Sequence, residues 1–273
     1  MSYVEKVRRN IGDIASVARK GPAERSALRR RYQFDCLRKI VSFGGIETEE
    51  GLLFFSTQDR TIGRHVYVEG GWERRLLLRT LALAEVEPQG AYFVEVGANI
   101  GTTTVAAARQ GAHVLAFEPA PLNYRLLRAN VAVNLLDEHV TATQAACSDT
   151  PGTLTMRLSP VNHGDHRIDP TGDVQVPVVR LDDALGGRHV DLLWVDTQGH
   201  EASVFAGAPQ TLAARPPLLV ELWPSVLGET LPAFAKAVSG YERVLDMCDE
   251  LPTTVLDAAQ RHRYGATDLL LLS

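Results

Sequence analysis

From residue 91 onward the sequence alternates between short apolar runs and longer segments in which apolar residues recur every three or four positions. The runs with the length of buried strands are 91–96, 113–118, 140–148, 190–196, 218–223, 242–247 and 268–273. Segments with helical spacing lie at 101–110, 121–134, 200–214 and 227–239. Apolar strands that alternate with helices are typical of a parallel sheet covered on both faces. The pattern therefore predicts an α/β fold, with a Rossmann-like, doubly wound, mostly parallel seven-stranded sheet.

Two further apolar segments, 152–159 and 174–181, interrupt this alternation. They predict additional strands on either side of a polar loop at 162–170. The last two strands of the sheet are separated by about 20 residues that carry only a short helical pattern. A connector of this kind can return the final strand antiparallel, because only a parallel neighbour needs a long crossover.

The first 75 residues have a different pattern, which predicts a helical extension ahead of the sheet. The apolar positions of its first stretch are Val4, Val7, Ile11, Ile14 and Val17. A break at 21–24, Gly-Pro-Ala-Glu, suggests two helices within 1–42. Residues 51–57 predict a short strand, and 61–73 predict a loop before a helix at about 72–86. A glycine-hinged segment in this position could close as a lid over a ligand.

The bulk composition is that of an ordinary globular protein. Of the 273 residues 45% are apolar and 22% are charged. No apolar stretch approaches the roughly 20 residues that cross a bilayer, and the charged N-terminus has no signal-peptide pattern. Cys36, Cys147 and Cys248 are far apart without a CxxC pair, which predicts neither a zinc site nor a disulfide. We expect a cytoplasmic protein.

The net charge of −5 is unevenly distributed. Residues 1–40 hold eleven basic and four acidic side chains, a balance of +7, and the remainder carries −12. An acidic body argues against nucleic-acid binding, so we expect neither a nucleic-acid nor a membrane partner. The basic segment could contact RNA, an anionic membrane surface or a protein, but a solvated helix face is the preferred interpretation. Its helices could also pair two chains as a homodimer.

Residues 93–104, Phe-Val-Glu-Val-Gly-Ala-Asn-Ile-Gly-Thr-Thr-Thr, form a sharp corner between the first strand and the first helix of the sheet. In doubly wound sheets, ligands bind at the carboxyl ends of the strands, and this loop is the usual contact. Gly97 permits a tight turn and Gly101 a close approach of the helix. Asn99 stands where a dinucleotide-binding loop would have its second glycine, and its side chain would crowd a diphosphate.

Two acidic residues define the ligand further. Glu118 ends the second strand, 21 residues after Gly97, where a carboxylate can accept hydrogen bonds from both ribose hydroxyls. Glu95 precedes the turn and suits an ammonium group. A ligand with a ribose, an amino group and no phosphate is expected, and S-adenosylmethionine meets that description.

With the corner sequence followed by Ala-Phe-Glu-Pro at 116–119, the chain resembles class I S-adenosylmethionine-dependent methyltransferases. Segments 162–168, 191–208 and 218–224 narrow the resemblance to the FkbM family of methyltransferases. The resemblance implies the class I methyltransferase fold and O-methylation of a hydroxyl, often on a natural product such as a polyketide or a sugar. The resemblance covers roughly residues 90–225; together with the pattern of elements, it predicts 76–273 as the cofactor-binding catalytic domain and 1–75 as a helical extension or lid.

The resemblance also assigns residues to the cofactor. It places Glu95, Gly97, Asn99 and Gly101 along the methionine part and Glu118 at the ribose. It places Ser148 and Asp149 near the adenine and Asp196 beside the methyl group. Members of the family often have glutamate where this chain has Gln198, which weakens a role for a carboxylate at that position.

Transfer to an alcohol benefits from a base that accepts the hydroxyl proton. The polar loop offers His163 and His166, because an unperturbed histidine has a pKa of about 6.5. Asp196 and Glu221, at the ends of later strands, are further candidate catalytic residues, whereas His200 and Glu201 could instead cap the next helix. Asp196, Glu221 and a histidine could bind a divalent cation, but no tight ligand spacing demands one, and we predict no metal site.

Three alternatives compete with O-methylation. An N-methyltransferase would use the same cofactor and depend less on a base. A nicotinamide-dependent dehydrogenase would share the fold, but Asn99 speaks against it. A non-catalytic or RNA-binding module would use the basic first 40 residues.

Overall fold

The computed structural model describes residues 21–172 and 174–273 and shows an α/β fold with three sheets. Its strands are β1 (Phe43–Thr48), β2 (Gly51–Ser56), β3 (Tyr92–Val96), β4 (His113–Phe117), β5 (Val140–Thr143), β6 (Ala146–Cys147), β7 (Gly152–Arg157), β8 (Arg167–Ile168), β9 (Val174–Val179), β10 (Leu192–Val195), β11 (Leu218–Leu222), β12 (Arg243–Asp246), β13 (Leu251–Pro252) and β14 (Thr267–Leu272).

The central sheet has eight strands in the order β13-β12-β14-β11-β10-β3-β4-β5. Six of the seven predicted strands and the first half of the third, β5, lie in it, and the eighth is the two-residue edge strand β13. Strands β5, β4, β3, β10 and β11 pair in parallel, whereas β14 runs antiparallel to both β11 and β12. The prediction of a doubly wound, mostly parallel sheet with a returning last strand is confirmed.

Both faces of this sheet are buried, as the continuous apolar runs predict. Phe93, Val114 and Trp194 point into one hydrophobic cluster, while their chain neighbours Val94 and Val195 point into the other. Successive side chains of a strand alternate between faces, so a strand with a core on either side must be apolar throughout.

The helices are α1 (Pro22–Leu37), α2 (Ile62–Glu69), α3 (Arg74–Leu83), α4 (Thr102–Arg109), α5 (Pro121–Val133), α6 (Leu181–Leu185), α7 (Glu201–Ala206), α8 (Pro209–Ala214), α9 (Pro224–Leu227), α10 (Leu231–Ala237) and α11 (Val255–Arg261). Among the helices of the described ranges, none combines the length and the apolar character needed to cross a bilayer. The first of the two helices predicted for the N-terminus lies in 1–20, outside the described residues.

Two of the helical predictions need correction. The segment predicted as a loop at 61–73 contains α2, which buries Ile62 and Val66 and ends at Gly70 in a left-handed conformation with φ 84°. The single helix predicted at 200–214 is two helices, α7 and α8, because Pro209 cannot donate the hydrogen bond that would continue the first. The predicted third strand likewise divides into β5 and β6.

The N-terminal segment contains a hairpin, β1 and β2, of which the sequence predicts only the second strand. Gly44 and Gly45 make β1 look like a turn. In the hairpin they lie opposite Phe55 and Phe54, and a Cβ on either glycine would come within 2.8 Å of the facing ring. The glycines are needed because the rings cover them, a tertiary contact that the local sequence does not reveal.

Two asparagines, one in α5 and one directly after it, fix this hairpin to the main domain. Asn130 accepts a hydrogen bond from the Phe54 amide and donates to the Phe54 carbonyl, and Asn134 does the same with Leu52. Their carboxamides thus complete the outer edge of β2 as a neighbouring strand would. Asn130 also donates to the Ile100 carbonyl at 2.8 Å, which links the hairpin to the glycine-containing corner.

The additional strands form a separate four-stranded sheet in the order β6-β9-β7-β8. It places the polar loop predicted at 162–170 beside the carboxyl ends of the central strands. Strand β8 lies within the segment predicted as loop, and only two of its residues pair with β7.

Candidate functional site

A cleft of about 250 Å³ opens at the carboxyl ends of β3, β4, β10 and β11. Eight of the residues singled out in the sequence line it, namely Glu95, Gly97, Asn99, Glu118, His163, His166, Asp196 and Glu221. Parallel strands bring their carboxyl ends to one edge, so residues more than 120 positions apart in the chain converge there.

The corner after β3 is a strained, closely packed turn. Gly97 has φ 96°, and a Cβ on it would lie 1.8 Å from the Asp196 carbonyl oxygen. Asn99 is also left-handed, with φ 52°, a conformation that asparagine tolerates better than most residues. Gly101 supports the corner from behind: a Cβ there would lie 2.4 Å from Cδ1 of Leu127.

Glu118 is fixed at the end of β4 by two backbone amides. The amide of Asn99 donates to one carboxylate oxygen and that of Ala120 to the other, each at 2.8 Å. The side chain is buried, and burial raises its pKa to about 7 despite these hydrogen bonds. The carboxylate is held firmly and keeps lone pairs for a ligand.

Glu95 lies in β3 and is buried beside α4. The Thr104 hydroxyl donates a hydrogen bond to its Oε2. Burial raises the pKa of Glu95 to about 8, with a smaller contribution from the charge of Asp196. A cation near this carboxylate would restore its ionised form, because an opposite charge favours ionisation.

Asp196 and Glu221 face each other across β10 and β11, with the Gln198 carboxamide between them. Its Nε2 donates to Asp196 at 2.6 Å and to Glu221 at 2.9 Å. Burial, and then the charge of Asp196, raises the pKa of Glu221 to about 10, so Glu221 is protonated at neutral pH. Burial also raises the pKa of Asp196.

Glu201 completes a group of three carboxylates whose oxygens lie within 4.8 Å of one another. One of its oxygens accepts from the Thr197 amide, the Thr197 hydroxyl and the Gly199 amide. These bonds fix the loop between β10 and α7. A divalent cation could use oxygens of Asp196, Glu201 and Glu221, but the Gln198 amide already donates to two of them and would have to be displaced.

The polar loop brings both predicted histidines to the cleft. The ring of His163 is buried, its Nδ1 has no hydrogen-bond partner among the described residues, and its centroid lies 5.5 Å from that of His166. The Nδ1 of His166 accepts from the Ser159 amide at 3.0 Å. Burial lowers the pKa of His163, and it lowers that of His166 to about 4. Both rings are therefore neutral near pH 7.

Three residues predicted to contact the cofactor do not line the cleft. Gly101 lies behind the corner, against Leu127. The Ser148 hydroxyl donates to Asp149 and contacts Nε2 of His200 at 3.0 Å, so this pair faces the start of α7. The residues just before them line the cleft instead, at 145–147. Contact of Ser148 and Asp149 with adenine stays a prediction.

Some residues at the cleft went unrecognised in the sequence. Asn123, in the first turn of α5, is 1% exposed and donates to the His163 carbonyl at 2.9 Å. The sequence signal that could have identified Asn123 was a polar residue on the inner face of a predicted helix. Trp223, after β11, also lines the cleft, and the Arg167 guanidinium stacks 4.8 Å from its ring centre. Trp72 and Glu73, at the end of the segment 61–73, line it as well.

One curated relative is the methyltransferase sdnD of Sordaria araneosa. It is 30% identical over 161 residues, which cover 45% of this chain. The match spans 62% of the length of that relative.

Two solved structures illustrate the more distant similarities. A 16S rRNA methyltransferase of T. thermophilus, in complex with AdoMet and guanosine, has a TM-score of 0.47 at 14% identity and covers 85% of this chain and 51% of its own. A tRNA (uracil-54, C5)-methyltransferase of Pyrococcus abyssi, in complex with S-adenosyl-L-homocysteine, has a TM-score of 0.45 at 13% identity, covering 85% and 44%.

A family model described as the methyltransferase FkbM domain matches residues 95–235. The matched region begins at Glu95, includes Glu118, the histidine loop, Asp196 and Glu221, and extends over about half of the chain. The family suggested by the sequence motifs is confirmed: the chain belongs to the FkbM methyltransferases.

Proposed function

We propose that the protein transfers a methyl group from S-adenosylmethionine to a hydroxyl group of a small molecule. The cofactor supplies an activated methyl on a sulfonium. The protein contributes a buried carboxylate for the ribose, acidic groups near the cationic end of the cofactor, and a neutral histidine in the same cleft.

The cleft suits this cofactor on its own geometry. Glu118 is oriented by two backbone amides and can accept hydrogen bonds from two neighbouring hydroxyls. Glu95 and Asp196 offer negative charge next to the corner, where an ammonium and a sulfonium would be stabilised. The missing Cβ at Gly97 leaves no side chain between the corner and β10.

The observation that carries the proposal is the His163 ring. It lines the same cleft as Glu95 and Glu118, its Nδ1 is free of partners among the described residues, and its lowered pKa keeps it neutral. A neutral imidazole can accept the proton that an alcohol loses as it attacks the methyl. Positioning of the hydroxyl in line with the breaking bond would supply most of the remaining acceleration.

The finer parts of the proposal come from the family resemblance and the sequence. They are a natural-product acceptor, such as a polyketide or a sugar, and an intracellular place of action. A small-molecule acceptor without nucleic-acid or membrane partners agrees with the acidic character of the chain after residue 40. A homodimer through the N-terminal helices rests mainly on residues 1–20, which lie outside the described part of the chain.

Transfer to nitrogen is a second candidate, favoured by the acidic lining of the cleft. Glu73, Asp196 and Glu221 line it, and within the described ranges no Lys or Arg is among its lining residues. Burial raises the pKa of each of these carboxyl groups, and a protonated amine beside them would favour their ionised forms and be stabilised in turn. A nicotinamide-dependent dehydrogenase agrees less well with membership of a methyltransferase family.

Calorimetry with S-adenosylmethionine and with S-adenosylhomocysteine tests the cofactor, and radiolabelled methyl transfer to matched alcohol and amine panels tests the acceptor. We expect heat with both nucleosides and label on an alcohol. A variant with both His163→Ala and His166→Ala should bind the nucleosides but lose transfer. Retained transfer by that variant would favour the amine, and a folded protein that gives no heat would reject the proposal.

A further inference from the structure

The main chain of His163 is held more firmly than its ring. Its carbonyl oxygen accepts two side-chain hydrogen bonds, from Nδ2 of Asn99 at 3.1 Å and from Nδ2 of Asn123 at 2.9 Å. Its amide donates to Oδ1 of Asp59 at 3.3 Å. Three separate parts of the chain therefore converge on one residue of the polar loop. We name the two carboxamides and the carbonyl the carboxamide clasp.

Asn99 is the member that reaches toward the expected cofactor. Its backbone amide donates to Glu118, its Oδ1 accepts from the Ile100 amide, and its Nδ2 contacts His163. The same residue thus contacts the carboxylate expected at the ribose and the main chain of the candidate base. A ligand that binds Glu118 would therefore act on a carboxylate that is linked to the histidine loop through a single residue, Asn99.

Asn123 is the member with the deeper position. It is almost fully buried, and its Oδ1 has no partner among the described residues, so the only hydrogen bond of its side chain there is the one to His163. A buried carboxamide that satisfies one group and leaves another unsatisfied is costly for stability alone. Its placement is explained better by the position that it gives to His163.

We propose that Asn99 and Asn123 are positioning residues, which hold the His163 carbonyl so that binding of the nucleoside at Glu118 fixes the His163 ring beside the acceptor. The inference rests on the proposed function, because it assigns His163 the part of the base. It adds that the position of the base depends on the corner after β3 as well as on the polar loop.

The ring of His163 provides a readout. The titratable groups that act on it are Asp59, from the segment before α2, and His166, from its own loop, which in turn faces Asp165. Burial outweighs the attraction of Asp59 and lowers the pKa of His163. If the clasp holds the ring in place, loosening the clasp should let the pKa return toward about 6.5.

The experiment follows the ring nitrogens of ¹⁵N-histidine-labelled full-length protein through a pH titration, with and without S-adenosylhomocysteine. His163→Gln assigns the signal. Asn123→Leu removes one arm of the clasp. Asn99→Gly removes the other but keeps the backbone amide from which Glu118 accepts a hydrogen bond, and S-adenosylhomocysteine is added to saturation, as measured by calorimetry on the same variant. Asn134→Leu is the matched control, since it removes a similar carboxamide directly after the same helix that bonds Leu52, far from the cleft.

We expect the pKa of His163 to rise in Asn123→Leu and to stay at the wild-type value in Asn134→Leu. Added S-adenosylhomocysteine should alter the titration of His163 in the wild type and have little effect on it in Asn99→Gly. Asn123→Gln retains the carboxamide donor and should restore the wild-type titration of His163 at least in part. If Asn123→Leu does not fold, the comparison is made with Asn123→Gln.

A His163 titration that is the same in wild type, Asn123→Leu and Asn99→Gly would overturn the inference, even if the variants were less stable. That result would leave the proposed function standing if S-adenosylhomocysteine still bound. Absence of binding to the wild type would instead reject the proposed function, while the comparison of Asn123→Leu with Asn134→Leu in the free protein would still decide on the clasp.

Discussion

The backbone amide of Asn99 donates a hydrogen bond of 2.8 Å to Oε2 of Glu118. This bond joins the corner after β3 to the end of β4, the two places where the sequence predicts cofactor contacts. It also orients the carboxylate before any ligand arrives, because the Ala120 amide fixes the other oxygen. A preorganised acceptor of this kind loses little freedom when it binds a diol.

Replacement of Glu118 should therefore remove most of the affinity for the nucleoside. We expect Glu118→Ala to raise the Kd of S-adenosylhomocysteine about 10- to 100-fold, since hydrogen bonds to a charged group contribute about 1.5–3 kcal/mol. Isothermal calorimetry measures the effect. The exposed Glu138→Ala is the control for loss of one negative charge. Equal Kd values for the two variants would show that Glu118 does not hold the ribose.

The same affinity should depend on pH. Burial raises the pKa of Glu118 to about 7, and only the ionised carboxylate accepts hydrogen bonds from both hydroxyls. Below pH 7 the group is mostly protonated and binding must release that proton, so Glu118 should contribute a fall in affinity of about tenfold per pH unit, beside the proton that Glu95 releases when the ammonium binds. The dependence should flatten only above the Glu95 pKa of about 8. Calorimetry from about pH 5.5 to about pH 8.5, roughly one and a half units on either side of the Glu118 pKa, measures how the affinity depends on pH.

The Glu118→Ala variant supplies the test of that assignment, because below pH 7 its remaining affinity should depend on pH less steeply than that of the wild type, by about tenfold per pH unit. A wild-type affinity that rises as the pH falls would have the opposite sign and would contradict ionisation of Glu118 on binding.

Gly97 should tolerate no side chain. A Cβ would lie 1.8 Å from the Asp196 carbonyl oxygen, which is main chain and cannot rotate away. We expect Gly97→Ala to lower the free energy of unfolding by several kcal/mol, roughly the top of the range for single substitutions, or to prevent folding. Gly90→Ala is the matched control: φ is 80° there, but no atom lies within 4 Å of the added Cβ, so only a backbone cost of about 1–2 kcal/mol remains. Similar urea denaturation midpoints for the two would refute the steric argument.

Gln198 should be important for the two acidic residues that it joins. Gln198→Leu removes the donor shared by Asp196 and Glu221, and we expect a loss of about 1–3 kcal/mol in the free energy of unfolding. The Gln198 hydrogen bond lowers the pKa of Asp196, so without it that pKa rises further. The folded variant then binds more protons than the wild type, and its deficit in stability should grow as the pH rises from acidic to neutral.

Denaturant unfolding of wild type, Gln198→Leu and the exposed control Gln260→Leu at several pH values measures this deficit. A deficit that is constant with pH would mean that Gln198 acts by packing alone and has no influence on the charge of Asp196.

The sequence predicted the structure correctly where the interacting residues are neighbours in the chain. The corner at Gly97 and the acid at Glu118 could be found because strand, turn and helix follow one another directly. The hairpin strand β1 and helix α2 were missed because their cause is remote: the rings of Phe54 and Phe55 cover Gly44 and Gly45, and the buried face of α2 depends on what packs against it.

The sequence by itself determined the class of fold and the strand–helix corner at Gly97, because apolar periodicity and glycine spacing act through the nearest residues of the chain, and its motifs identified the family. Only the tertiary structure decided how the functional groups meet. Asn123 contacts His163 across 40 positions, and Gln198, which also bonds Asp196, reaches Glu221 across 23. Such contacts depend on which strand ends share an edge and which loops fold over it, and that is fixed by packing of the whole sheet.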